Sequence, residues 1–81
     1  MITAAQLKAA RALLGIDQRA LAEAADLSVP TIQRMEGSDG DIRGNIDSLV
    51  KLIAALETAG VDLISEGAVS EGGGRGVRLK H

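Results

Sequence analysis

The side chains best suited to specific chemistry in this chain lie between Gln18 and Arg34. The guanidinium of Arg34 can donate two hydrogen bonds to guanine O6 and N7, and the amide of Gln33 suits adenine or a phosphate at the edge of the groove. Thr31 adds a hydroxyl that can contact a phosphate or a thymine methyl, or support a helical turn. Gln18 lies where a short helix is predicted to begin, and free N–H groups at such an end attract anions. This chemistry favours the binding of nucleic acid.

The residues that catalysis requires are largely missing. The chain has no cysteine, its single histidine is the terminal His81, and no two carboxylates stand at a meaningful spacing. The glycine-rich stretch at 72–76 lacks the Gly-Lys-Ser/Thr ending of a phosphate-binding loop. We therefore expect no enzyme activity, no metal site and no cofactor.

Composition narrows the class of ligand. The chain has 81 residues, no aromatic residue and a net charge of −2. Proteins that bind single strands stack bases on aromatic side chains, so the absence of aromatics favours a double-stranded ligand. Because the net charge is negative, the positive charge that binds a nucleic acid must be concentrated on one part of the surface. With no secretory signal or membrane-length apolar stretch visible, we expect a soluble, cytoplasmic protein that makes no contact with a membrane.

Two short amphipathic helices are predicted to position these side chains. The segment 18–37 has apolar residues at helical spacing on both sides of a break at Asp26-Leu27-Ser28, and Ala22 is small where the helices must approach. Asp26 is expected in a left-handed conformation at the corner, and Ser28 is expected to cap the second of the two helices. This pattern is typical of a helix-turn-helix.

The elements on either side complete a small bundle. Thr3 and Gln6 form a predicted capping box for a first helix that ends at Gly15, and Asp17 is placed to cap the next. After a loop at 37–41, Asn45 is expected to cap a longer helix that ends at Gly60. Beyond it, residues 61–63 and 77–80 alternate as strands do, with a turn at 66–76. One side of the longer helix is expected to carry Ile46, Leu49, Val50, Ile53 and Leu56.

The order of these motifs resembles the XRE family of phage-repressor-like helix-turn-helix domains. The resemblance spans roughly residues 4–57, and residues 61–81 fall outside the common core. The expected fold class is mainly α, a lambda-repressor-like bundle of about four helices followed by a C-terminal β-hairpin. The motifs that carry the resemblance are Leu14-Gly15-Ile16-Asp17-Gln18, Leu21-Ala22-Glu23, Leu27-Ser28, Thr31-Ile32 and Met35-Glu36-Gly37.

The resemblance implies roles for particular residues. The glutamine that opens the second helix, Gln18, would contact a phosphate, and the third helix would enter the major groove. Arg11 would form a structural ion pair with Glu36. Arg43 and Asn45 match positions that touch the DNA backbone. The residues that would read bases are Ser28, Val29, Thr31, Gln33 and Arg34.

The chain departs from the family pattern in two places. Val29 and Pro30 stand where many relatives carry polar residues, so Val29 either packs against thymine methyls or staples the turn, and Pro30 is read as structural. The loop 38–41 is acidic where phosphate contacts are often made. Lys8 and Arg19 are interpreted as solvated surface residues. For Arg43, a phosphate contact and a solvated position are equally favoured.

These observations predict a helix-turn-helix domain at 1–60 and a dimerising hairpin at 61–81, with Val61, Leu63, Val77 and Leu79 as its dimer contacts. The predicted function is a sequence-specific regulator of double-stranded DNA, a homodimeric repressor on an inverted-repeat operator. One alternative is an antitoxin that also represses its own operon and binds a toxin protein. Another is a protein-interaction adaptor that has kept the fold and lost DNA binding.

Overall fold

The computed structural model describes residues 2–64 and 76–79, and these form four helices followed by a two-stranded antiparallel sheet. The predicted fold class is therefore confirmed. The predicted turn at 66–76 lies outside the described residues except for Gly76, as do Lys80 and His81. The elements are α1 (Ala4–Leu14), α2 (Gln18–Ala25), α3 (Val29–Glu36), α4 (Ile46–Thr58), β1 (Val61–Ile64) and β2 (Gly76–Leu79).

Local capping rules account for the helix ends. Thr3 and Gln6 form the predicted capping box, in which the Thr3 amide donates to Gln6 Oε1 at 2.8 Å and the Gln6 amide donates to Thr3 Oγ1 at 3.1 Å. Gly15 ends α1 and Asp26 ends α2, both in the left-handed region, with φ of 67° and 55°. The other three predicted caps are also present, with Asp17, Ser28 and Asn45 accepting from the amides of Ala20, Thr31 and Ser48.

The helices enclose one apolar core. Helix α2 packs against α3 and α4, and α1 lies across α3. Ala22 is buried where α2 meets its neighbours, as its small size predicts. The largest fully buried side chains are Leu7, Leu21, Ile32, Met35, Leu52, Leu56 and Val61.

The loop between α3 and α4 is fastened to the start of the chain. The Ala4 amide donates to the Gly40 carbonyl at 2.9 Å, and the Ile42 amide donates to the Ile2 carbonyl at 3.1 Å. Ile2 and Ile42 are both buried in the core. The loop that follows α3 is therefore held in place by backbone pairing as well as by packing.

The predicted apolar side of α4 was partly wrong. Leu49 and Leu56 face the core as expected, together with Leu52, but Ile46 is 76% exposed and Val50 is 60% exposed. The reason is tertiary: α4 contacts α2 and β1, and these neighbours cover only the side that carries the three leucines. Apolar residues extend around more of α4 than the bundle covers.

The two strands pack onto the helices of the same chain. Val61 pairs with Leu79 and Leu63 with Val77 in the antiparallel register. Val61 is fully buried, while Leu63 and Val77 are half-buried against the core. The Gln6 side chain donates to the Gly76 carbonyl at 3.0 Å and so fastens β2 to α1.

Candidate nucleic-acid interface

The outer side of α3 carries a row of hydrogen-bonding side chains. Ile32 and Met35 are fully buried, which leaves Gln33 and Arg34 exposed on the opposite side. Thr31 is half-buried one turn before Arg34. A helix that packs by one face and presents amide, hydroxyl and guanidinium groups on the other has the form needed to lie in a groove and read base edges.

These polar groups are linked to one another. The Arg34 Nη2 donates to Thr31 Oγ1 at 3.2 Å, and the Thr31 and Ser28 hydroxyls lie 2.8 Å apart. The three side chains are spaced three residues apart, so they share one side of α3. This chain of contacts was not predicted, although the spacing of the three residues carried the signal. It holds the Arg34 guanidinium close to the helix in the free protein.

Arg11 and Glu36 form a bidentate ion pair between α1 and α3. Arg11 Nε and Nη2 donate to the Glu36 carboxylate at 2.7 and 3.1 Å, and Arg11 Nη1 donates to the Ile16 carbonyl at 3.2 Å. Glu36 is only 8% exposed. The pair fixes the end of α3 against α1 and the turn that precedes α2.

The charge state of Glu36 follows from competing effects. Burial by itself would raise the pKa of Glu36, but hydrogen bonds from Arg11 and Gln18 and the nearby charges of Arg11 and Lys8 outweigh it, so the pKa lies below its usual value. The hydrogen bond to Glu36 raises the pKa of Arg11. Both groups are therefore charged near neutral pH.

Gln18 belongs to the same network. Its Nε2 donates to Glu36 Oε1 at 3.0 Å, which connects the start of α2 to the end of α3. An amide nitrogen carries two N–H donors, so one remains for an anion at the half-buried start of α2. The sequence predicted a phosphate role for Gln18 and missed its bond to Glu36.

A groove lies between the end of α3 and the start of α4. Its volume is about 680 Å³, and Arg34 and Arg43 both line it. Ser38 connects its walls, because its hydroxyl donates to the Arg34 carbonyl at 3.2 Å and accepts from the Arg43 amide at 3.3 Å. The remaining lining residues are Thr31, Gly37, Asp39, Gly44, Asn45 and Ser48.

This groove has the chemistry of an anion site. It combines two guanidinium groups with the first turn of α4, where backbone N–H groups and the helix dipole favour negative charge. Asn45 already accepts from the Ser48 amide as the cap of α4. Asp39 is the one acidic residue in the lining, so the acidic loop only partly offsets the positive charge.

Two predicted site residues, Val29 and Val61, are less accessible than their predicted contacts require. Val29 is half-buried and packs against the core, which favours its role as a staple of the turn. Val61 is fully buried inside its own subunit, so its side chain cannot contact a second subunit in this conformation. Leu79 is 46% exposed, and Lys8 and Arg19 are exposed on α1 and α2.

The described ranges, 2–64 and 76–79, contain no cluster of three or more histidine, cysteine or acidic residues that could hold a metal ion. Within the same ranges, no helix has both the length and the apolar character needed to cross a membrane.

Comparison with known proteins identifies the architecture. A family model described as helix-turn-helix matches residues 7–63, more than two thirds of the chain. The match includes α2, α3, the groove and the Arg11–Glu36 pair. A search of curated proteins finds no significant match.

Proposed function

Since this chain belongs to the XRE family of helix-turn-helix DNA-binding transcription regulators, we propose that it acts as a cytoplasmic, dimeric repressor on an inverted-repeat operator. Each subunit places α3 in one major groove. The two-fold symmetry of the dimer requires half-sites about one helical turn, roughly 34 Å, apart. Repression follows because the bound dimer occludes a promoter.

The observation that carries this proposal is the outer side of α3. Arg34 and Gln33 are exposed there, while Ile32 and Met35 hold the helix in the core. On entering the groove, Arg34 exchanges its contact with Thr31 for two hydrogen bonds to guanine. The exchange is favourable because both acceptors on guanine match the guanidinium fork.

Phosphate contacts on both sides of α3 fix its register. Gln18 offers an N–H donor at the start of α2, and the groove with Arg43 and Asn45 offers cations and a helix N-terminus. Such contacts orient a protein on the duplex without reading sequence. They supply affinity, whereas α3 supplies specificity.

The proposed dimer includes the hairpin. Both strands of a two-stranded sheet are edges, and pairing with a second subunit would satisfy their free backbone groups. Leu63, Val77 and Leu79 are the candidate dimer contacts because each is at least partly exposed. Val61 is fully buried and is not among them.

Selection of bound duplexes from a random pool tests the proposal. We expect a pseudo-palindrome whose guanine preference weakens by about 1–3 kcal/mol in Arg34→Ala, with an unchanged fold because Arg34 is exposed. The matched control is Arg19→Ala, which removes the same charge from α2 and should leave the sequence preference intact. A non-palindromic site would contradict the two-fold dimer, and an unchanged preference in Arg34→Ala would contradict the reading role.

A further inference from the structure

The Thr31 hydroxyl accepts a hydrogen bond from the residue proposed to read guanine. Arg34 Nη2 donates to Thr31 Oγ1 at 3.2 Å, across one turn of α3. Both side chains lie on the outer side of the helix, where Arg34 is exposed and Thr31 is half-buried. The guanidinium therefore has an acceptor on its own helix before any duplex is bound.

The start of α3 holds the Thr31 hydroxyl in position. Ser28 is the N-cap of α3, and its hydroxyl oxygen accepts from the Thr31 amide at 3.2 Å. The Ser28 and Thr31 hydroxyl oxygens lie 2.8 Å apart. Since a serine hydroxyl has two acceptor lone pairs, Ser28 can accept the Thr31 hydroxyl proton as well as the Thr31 amide. That arrangement leaves the lone pairs of Thr31 Oγ1 for Arg34.

We propose that Thr31 sets how strongly the protein discriminates in favour of guanine, because it gives Arg34 a second acceptor on duplexes that offer none. This role rests on the function proposed above, in which Arg34 leaves Thr31 for guanine O6 and N7. On a duplex with another base at that position, Arg34 keeps its hydrogen bond to Thr31. Thr31 is a positioning residue, since it acts on the base through Arg34.

Two opposite effects on affinity follow from this exchange. On guanine, the bond between Arg34 and Thr31 must break before the new bonds form, so the Thr31 hydroxyl lowers affinity for the correct site. On another base, the same bond satisfies a guanidinium that would otherwise lie in the groove without an acceptor, which is costly. The hydroxyl therefore raises affinity for the incorrect site. Both effects reduce the ratio of the two affinities, by about threefold or more for a hydrogen bond of ordinary net strength.

A direct contact between Thr31 and the duplex predicts different results. A phosphate contact carries no sequence information, so its loss would lower affinity for both duplexes alike and leave their ratio unchanged. A contact with a base would alter the ratio whether or not Arg34 is present. The ratio, measured with and without Arg34, therefore isolates the positioning role.

Thr31→Val tests the proposal, because valine has nearly the same shape and lacks the hydroxyl. Affinity is measured by fluorescence anisotropy for a duplex recovered by selection, and for the same duplex with the guanine that Arg34 reads replaced by adenine. We expect the preference for guanine to rise by about threefold or more in Thr31→Val and to keep its native value in Thr31→Ser, which retains the hydroxyl. The matched control is Thr58→Val, the same change at an exposed position on α4. An unchanged or lower preference in Thr31→Val would overturn the proposal.

A double-mutant cycle shows whether Thr31 acts through Arg34. In the Arg34→Ala background, Thr31→Val is expected to leave the ratio of the two affinities unchanged. An equal change in the native and Arg34→Ala backgrounds would show that Thr31 contacts the base itself, and it would overturn the proposal.

Nitrogen-15 NMR of the free protein measures the contact without DNA. Rotation about the Nε–Cζ bond of Arg34 is expected to be slower in the native protein than in Thr31→Val, because the hydrogen bond to Thr31 restrains one end of the guanidinium. Equal rotation rates in the two proteins would show that the bond does not hold Arg34, and they would overturn the proposal.

The role of Thr31 and the reading role of Arg34 fail in different ways. If Arg34→Ala loses the guanine preference and Thr31→Val matches the native ratio, only the role of Thr31 fails. If Arg34→Ala keeps the guanine preference, or if the protein binds no duplex, the proposed function fails and the role of Thr31 fails with it.

Discussion

At the scale of single residues, Glu36 joins three parts of the molecule. Its carboxylate accepts from Arg11 on α1 and from Gln18 at the start of α2, while its backbone belongs to α3. Glu36→Ala would leave the Arg11 guanidinium without its partner, so we expect a loss of about 3 kcal/mol in the free energy of unfolding. DNA affinity should also fall because Gln18 loses its anchor. Thermal denaturation and mobility shifts measure the two effects, and an unchanged melting temperature would contradict the structural role.

The lowered pKa of Glu36 predicts how stability depends on pH. Since the folded pKa lies below the unfolded value, the ionised carboxylate contributes its full stability above the ordinary glutamate pKa, about 4.3. That contribution is lost as the pH falls through the lower folded value. We expect the free energy of unfolding to decline more steeply below about pH 4.5 in the native protein than in Glu36→Gln, as measured by urea denaturation. Parallel curves for the two proteins would contradict this assignment.

How much of the site the sequence predicts depends on whether a contact follows from helical periodicity or from the family resemblance, or only from how the folded elements meet. The resemblance implied the Arg11–Glu36 pair, and helical periodicity predicted an outward Arg34. The bond between Gln18 and Glu36 could not be predicted because it depends on the angle at which α2 and α3 cross. The same is true of Ser38, whose hydroxyl joins the Arg34 carbonyl to the Arg43 amide only after the loop has folded back.

At the scale of elements, the corner between α2 and α3 depends on one left-handed residue. Asp26 has a φ of 55°, a conformation that glycine adopts without steric cost. Its ion pair with Lys51, at 3.7 Å and exposed, contributes little. We therefore expect Asp26→Gly to raise the free energy of unfolding by about 0.5 kcal/mol. Asp26→Ala should lower it, because alanine tolerates this φ less well than aspartate. Urea denaturation compares the three proteins, and a less stable Asp26→Gly would show that the aspartate side chain itself is needed.

Helix α4 shows why element boundaries were more predictable than element faces. Asn45 caps it through the Ser48 amide, a local interaction that residue types and spacing are enough to predict. Which side is buried depends on where α2 and β1 lie. The apolar residues of α4 extend over a wide side of the helix. The neighbouring elements bury the leucines and leave Ile46 and Val50 exposed.

At the scale of the whole molecule, the net negative charge of the protein opposes its binding to DNA. The chain carries a net charge of −2, so long-range attraction to a duplex is weak and contacts at the interface must supply the affinity. Arg34 and Arg43 share the groove with only one acidic lining residue, Asp39. If Arg43 of each subunit contacts a phosphate while Arg34 contacts guanine, a dimer forms about two cationic phosphate contacts, and the logarithm of the binding constant should fall with a slope of about −2 against the logarithm of salt concentration.

Arg43→Ala separates contact from overall charge. Removing one cationic contact per subunit should make the slope less steep by about 2 for the dimer, and it should weaken binding to all sequences alike, since a phosphate contact reads no bases. Lys8→Ala is the matched control: it makes the same change in net charge at an exposed position on α1, and its slope should equal that of the native protein. Binding is measured by fluorescence anisotropy at several salt concentrations. Equal slopes for Arg43→Ala and Lys8→Ala would show that the groove makes no phosphate contact, because a general loss of positive charge affects both variants to the same extent.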